Sequence, residues 1–298
     1  MNPLPIAATA DALMPLLEPA SRNWQLKVQR QLKHEVELGA VRRRFNAELN
    51  IALVLDAPEA LRLVSPYDVK AIGLGEAHLM DRAFQNLHAR SNQRFIEVKP
   101  GLYLSPYDDS YDAARLVLPR LLEGLTLAGD PVAFIPNRST LIVTGSDDAS
   151  GLLAAVELVT SALKKSIERV STLALKRTDF GWESWLPRST NAARAALEQL
   201  VHEQLGDELS SGGAMLAQLL PQCAQPAIAT RPSADGKRRE VVVVLSEADG
   251  SEVLVPRADE IVTADGVALA WADFARKNSA ALTQVEGSNG EWYRLLRA

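Results

Sequence analysis

Ser65-Pro66-Tyr67-Asp68 recurs as Ser105-Pro106-Tyr107-Asp108, 40 positions later, and Leu141-Ile142-Val143-Thr144-Gly145-Ser146-Asp147-Asp148 follows Leu102-Tyr103-Leu104-Ser105-Pro106-Tyr107-Asp108-Asp109 after a further 39. Self-similarity at a fixed spacing marks a repeated supersecondary unit, so it constrains the fold more than any single residue does. Each copy reads as strand, turn, strand, with Asp56-Ala57-Pro58-Glu59, Lys99-Pro100-Gly101 and Asn137-Arg138-Ser139 as the turns. The segments that follow, Glu76 to Ala89, Tyr111 to Leu122 and Leu152 to Ile167, carry apolar residues three and four apart, which predicts helices. The unit is therefore ββα. A lone hairpin with one helix cannot bury its apolar face. We therefore expect an α+β fold in which Ile51 to Leu55, Leu61 to Val64, Phe95 to Val98, Leu102 to Leu104, Val132 to Ile135 and Leu141 to Val143 share one antiparallel or mixed sheet with helices on it.

On this reading the chain divides into an N-terminal helical or extended segment (1–39), a ββα-repeat domain (40–170) and a smaller α+β unit (171–298). The first segment suggests a helix around Ala10 to Leu17. Trp24 to Leu38 is apolar in a pattern that fits helix or strand. In the last unit, helices are expected at Thr190 to Leu205 and at Ser210 to Leu220, the second stopped by Pro221. Residues 222 to 236 read as an exposed connection. A hairpin of Glu240 to Ser246 with Glu252 to Val255 over Asp249-Gly250 should follow, then a helix from Val267 to Lys277 and a closing hairpin of Leu282 to Val285 with Trp292 to Leu296.

Composition narrows the function classes. Of 298 residues, 47% are hydrophobic and 23% charged, as in a soluble globular protein. The 32 Lys and Arg against 37 Asp and Glu leave a net charge of -5, which argues against broad capture of nucleic acid. Arg42-Arg43-Arg44 and Lys237-Arg238-Arg239 are short basic clusters and read as solvated strand ends. Prolines 3, 5, 15 and 19 interrupt the N-terminus, which lacks the apolar core of a secretory signal, and no apolar run is long enough to span a bilayer. Cytoplasmic location and no membrane partner are the expectations. Cys223 is the single cysteine, so neither an intrachain disulfide nor a multi-cysteine metal site can form.

The chemistry-bearing residues are few. Asp108, Asp109 and Asp112, with Arg138, are the one carboxylate group dense enough for metal-dependent or acid–base work. The repeat favours another reading, because Asp68, Asp108 and Asp147 stand at equivalent helix entrances, where a carboxylate caps backbone N–H groups. His34, His78, His88 and His202 have no metal-ligand spacing. Cys223 lacks the basic neighbours that would activate a thiol. Gly73-Leu74-Gly75 and Gly212-Gly213 lack the remainder of any phosphate-binding motif. Phe180, Trp182 and Trp185 lie in a loop-like stretch and are the candidates for contact with a partner. Trp182 is expected buried between the two larger units, and Trp185 is the candidate anchor, since the chain turns there toward Pro187.

Leu53-Val54-Leu55, Ala83-Phe84-Gln85-Asn86-Leu87, the run Tyr107 to Arg115, and the strand pair Val132 to Val143 with its Pro136-Asn137-Arg138 turn come in an order that resembles the YtpQ-like family of bacterial domains of unknown function, over Asn50 to Lys164. The resemblance implies a cytoplasmic bacterial protein, no established activity and no catalytic residues. The sequence thus points to a non-enzymatic protein-binding module, whether adaptor, chaperone-like or toxin-neutralising immunity protein, with no cofactor, no metal and no nucleic acid. The alternative is a metal-dependent hydrolase built on Asp108, Asp109 and Asp112.

Overall fold

The computed structural model describes residues 10–33, 39–57, 60–165, 168–232, 239–247, 251–285 and 292–297. The fold is α+β. Its described residues form two compact units, one drawn from 1–20 and 38–197, the other from 21–37 and 198–298. These boundaries differ from the divisions expected after residues 39 and 170.

The first unit opens with β1 (Leu13–Pro19), where a helix was expected. Pro15 and Pro19 explain the difference, since proline breaks a helix interior but is tolerated in an edge strand, and β1 is the edge of its sheet. The chain leaves the unit for α1 (Arg22–Leu32) and returns to β2 (Arg42–Arg44), β3 (Leu49–Ala57) and β4 (Ala60–Leu63). The nine-residue β3 is the spine. It pairs antiparallel with β1 from Leu13↔Leu55 to Pro19↔Leu49, and on its other side with β2 and then β4.

After α2 (Pro66–Ile72) and α3 (Glu76–Ala89) comes a second sheet. It is built from β5 (Ile96–Lys99), β6 (Leu102–Leu104), β7 (Pro131–Phe134), β8 (Ile142–Gly145), β9 (Leu175–Thr178) and β10 (Gly181–Ser184), in the order β10-β9-β7-β8-β6-β5. All its pairings are antiparallel. The expectation that three hairpins share one sheet is therefore corrected. The second and third do, whereas β3 and β4 lie in the other sheet, because both sides of β3 are already occupied. The helix expected over Tyr111 to Leu122 is also replaced, by two 3-10 turns at Ala113–Val117 and Pro119–Leu122. Pro119 supplies the break, since the residue before a proline is pushed out of the helical region, and Leu118 has φ -110° and ψ 75°.

Alternation places the core. Leu49, Ile51, Leu53 and Leu55 face a cluster shared with Leu79, Met80 and Ala83 of α3 and with Tyr103, Ala133, Val143 and Leu175 of the second sheet. Val54, on the opposite face of β3, meets Met14, Leu16, Leu87, Tyr111 and Ala114. A sheet buried on both faces reads as a continuous apolar run, which is why β1 shows no strand period. On the second sheet Val132, Phe134 and Ile142 alternate to the other face, and α4 (Ala149–Lys165) packs on β8. Each fully buried aliphatic or aromatic side chain contributes about 1.5 to 3 kcal/mol.

In the second unit the two helices expected between residues 190 and 220 are one, α5 (Arg194–Leu219), running through Gly212-Gly213. Two sheets follow: β11 (Ala227–Pro232), β12 (Arg239–Val244), β14 (Glu260–Val262) and β15 (Ala268–Ala270) form one, and β13 (Glu252–Pro256), β17 (Trp292–Leu296) and β16 (Leu282–Gln284) the other. The hairpin expected between β12 and β13 is corrected, since β12 pairs with β11 and, in parallel, with β14, while β13 pairs with β17. Asp249-Gly250 lies outside the described residues. The closing β16–β17 pair forms as expected. Only the last seven residues of the expected Val267–Lys277 helix are helical, as α6 (Trp271–Lys277).

Candidate functional site

The Asp108–Asp112 loop joins β6 to the first 3-10 turn. Asp108 (φ 48°) and Ser110 (φ 65°) both adopt left-handed backbone, uncommon for residues other than glycine. The bend turns Asp112 inward and brings Asp109 onto Arg115, while Asp108 stays exposed. Asp112, fully buried, accepts hydrogen bonds from the Ser105 hydroxyl, the Tyr107 N–H at 3.3 Å and the Asp109 N–H at 3.3 Å. Asp109 accepts the Tyr111 N–H at 3.0 Å and holds Arg115 through two parallel bonds of 2.7 Å. Burial pushes the Asp112 carboxyl above its ordinary range. Burial acts the same way on Asp109, but the Arg115 hydrogen bonds, the Tyr111 N–H and the guanidinium charge together hold it below the usual carboxylate range.

Arg115 is the centre of this network. Its side chain is wholly buried, its Nε donates to Ser91 Oγ at 3.0 Å, and its guanidinium lies 3.5 Å from the centroid of the Tyr107 ring. Tyr107 in turn donates its hydroxyl to the Gln93 carbonyl at 2.9 Å and accepts the Gln93 N–H at 2.7 Å. The loop is thereby tied to the chain that follows α3. Arg138, the cation expected beside the acids, turns instead to Glu168 at 2.7 Å. Arg115, at the end of the Tyr107 to Arg115 run, is the network member that the acids alone do not reveal. Its spacing three after Asp112 and six after Asp109 was the available signal.

These carboxylates are therefore filled from within. The donors that a metal or substrate would have to displace are three backbone N–H groups, a hydroxyl and a buried guanidinium. Among the described residues no three His, Cys, Asp or Glu side chains converge as a metal site. His78 and His88 are exposed, His202 Nδ1 lies 2.7 Å from the Glu198 carbonyl oxygen, and His34 falls outside the described residues. Cys223 is buried with its Sγ 3.4 Å from Glu252, and burial pushes its thiol up, away from a reactive thiolate.

Capping takes a different form at each repeat. Asp68 is the third helical residue of α2 and completes a reciprocal capping box with Ser65. Its pKa falls to about 2, chiefly through Arg62, against the opposing effect of burial. At α4 the cap is Asp148, whose Oδ1 accepts the Gly151 N–H at 2.8 Å, and not its neighbour Asp147. Asp108 lies outside the cap of the 3-10 turn at Ala113–Val117, whose N-cap position is Asp112, and makes no capping bond among the described residues. Equivalent sequence positions thus serve three different local geometries.

The aromatic triplet lies on the β9–β10 hairpin and just beyond it. Trp182, only 3% exposed, packs in the core of its own unit and donates its Nε1–H to the Leu116 carbonyl at 3.2 Å. The expected burial is found, but the surrounding core belongs to one unit. Trp185 is half-buried, its N–H donating to the Ala174 carbonyl at 2.9 Å and Lys176 Nζ lying 5.9 Å from its ring. Phe180 is 96% exposed. It occupies the two-residue turn between Thr178 and Gly181, where Gly181 (φ 135°) supplies backbone that a side chain would resist. The three residues are thus split among core, flank and tip.

Among the described residues no helix is long and apolar enough to cross a membrane. No family model matches the chain, and no curated protein or solved structure matches it.

Proposed function

We propose that the chain is a protein-binding module that docks its partner through the β9–β10 hairpin, with Phe180 as the anchor and Trp185 beside it. The observation that carries this reading is the exposure of Phe180: 96% of a large apolar side chain stands in water at the tip of an edge hairpin. Aromatic residues are enriched at binding hot spots because burying them on contact removes a large apolar area from water at little conformational cost. The second support is the loop chemistry above, since every Asp109 and Asp112 contact is structural, which weighs against the metal-dependent hydrolase. Membership of the YtpQ-like family and a cytoplasmic setting belong to the same proposal. They rest on the residues quoted over Asn50 to Lys164 and on the reduced state expected of Cys223.

The test is partner capture from the native host followed by titration of the purified partner. Phe180→Ser should leave unfolding stability within about 0.5 kcal/mol, as for an exposed site, and weaken binding by about 2 kcal/mol or more. Unchanged affinity in a stably folded Phe180→Ser variant would overturn the proposal.

A further inference from the structure

We infer that β10 is a strand-addition site for an extended, basic segment of the partner. This inference rests on the docking role proposed above and adds the chemistry of what docks. Among the described residues β10 ends the sheet order and pairs with β9 alone. The Thr178↔Gly181 pair closes the two-residue turn, so the peptide groups of Gly181 and Glu183 face β9 and those of Trp182 and Ser184 alternate outward. The Trp185 N–H reaching the Ala174 carbonyl continues that alternation. Trp182 is buried, whereas Glu183 and Ser184 are exposed, so the outer edge lies open at Ser184.

The two ends of this sheet differ in how they treat a newcomer. β5, at the far end, carries a register shift between Glu97 and Lys99 and a lysine on its rim, both devices that discourage edge pairing. β10 pairs through four consecutive residues without a shift. Its basic neighbours are engaged: Lys176 Nζ lies 2.8 Å from Asp130, and the Arg177 guanidinium 5.8 Å from the centroid of the Trp182 ring. Asp179 and Glu183 are exposed, and their carboxylates make no ion pair with a described residue. On the edge strand itself the charged side chain is Glu183, with Asp179 at the turn, whereas Lys176 and Arg177 lie on β9. A strand laid against β10 would set its outward backbone groups on Ser184 and its alternate side chains beside Glu183, which favours Lys or Arg there.

The experiment is selection of a random dodecapeptide phage library on the full chain, with Ser184→Pro and Glu183→Lys as variants and thermal midpoints as the check on folding. The wild type should enrich peptides with Lys or Arg at alternate positions. Ser184→Pro, which removes an N–H pointing away from β9, should weaken the selected peptides at least tenfold. Glu183→Lys should shift selection toward acidic peptides. Absence of enrichment, selection without basic alternation, or binding undiminished by Ser184→Pro in a folded variant would overturn the inference. If the purified natural partner is lost on Phe180→Ser but held by Ser184→Pro, strand addition fails while the docking hairpin stands. If both variants leave the partner bound, both fail.

Discussion

A guanidinium with no exposed surface must find in the protein everything that water would have supplied, and Arg115 does so with two Asp109 oxygens, Ser91 Oγ and the face of Tyr107. Removing one partner of such a pair costs more than the pair contributes, because the other charge stays buried. Asp109→Asn should therefore lower stability at neutral pH by about 2 to 4 kcal/mol, with one member of the pair partly exposed. The pH dependence has a definite sign. Asp109 and Asp68 both have folded-state pKa values below the unfolded value near 4, so their contributions are fully present above about pH 4 and are lost as pH falls through the folded values. Denaturant unfolding from pH 6 to pH 2 should show the wild type losing stability on the acid side and Asp109→Asn losing less. A steeper acid loss in the variant would contradict this account of the pair. The sequence displays the acids of this network but not its cation: Arg138 is the expected partner, whereas the fold pairs Asp109 with Arg115 and Arg138 with Glu168.

At the scale of elements, α5 shows where local signals mislead and why. The helices expected at Thr190 to Leu205 and at Ser210 to Leu220 are one continuous helix, and Gly212-Gly213 lies within it where two indoles need the room. A Cβ on Gly212 would lie 3.2 Å from Trp24 Cη2, and one on Gly213 only 2.7 Å from Trp292 Cη2. Glycine in a helix costs about 1 kcal/mol relative to alanine, and overpacking a well-filled core costs about 1 to 3 kcal/mol, so at Gly213 the packing term decides. Gly213→Ala should destabilise. Gly206→Ala, whose Cβ would meet nothing closer than Thr230 Cγ2 at 3.8 Å, should be stabilising by about 0.5 to 1 kcal/mol. Chemical unfolding of the two variants checks the contrast, and stabilisation by both would contradict the indole packing. Hairpins with strong turn signals, such as β7–β8 and β16–β17, were legible because their pairing is local. The β1 strand was not, since its apolar run is buried on both faces and has no period.

At the scale of the molecule, each of the three segments quoted as copies contains an antiparallel strand pair, but the sequence similarity does not dictate which strands share a sheet. That depends on which edges are free. β3 takes β1 on one side and β2 with β4 on the other, leaving the later hairpins to build their own sheet and to end it at β10. The proposed site is legible to the same extent: the aromatic triplet stands out in the sequence, while its division into core, flank and tip comes from the hairpin register. Amide hydrogen exchange with and without the captured partner tests the docking role most directly. Slowed exchange is expected at Asp179 to Trp185, including Ser184, when the partner is bound. Slowed exchange confined to other surfaces, with the hairpin amides unchanged, would contradict it.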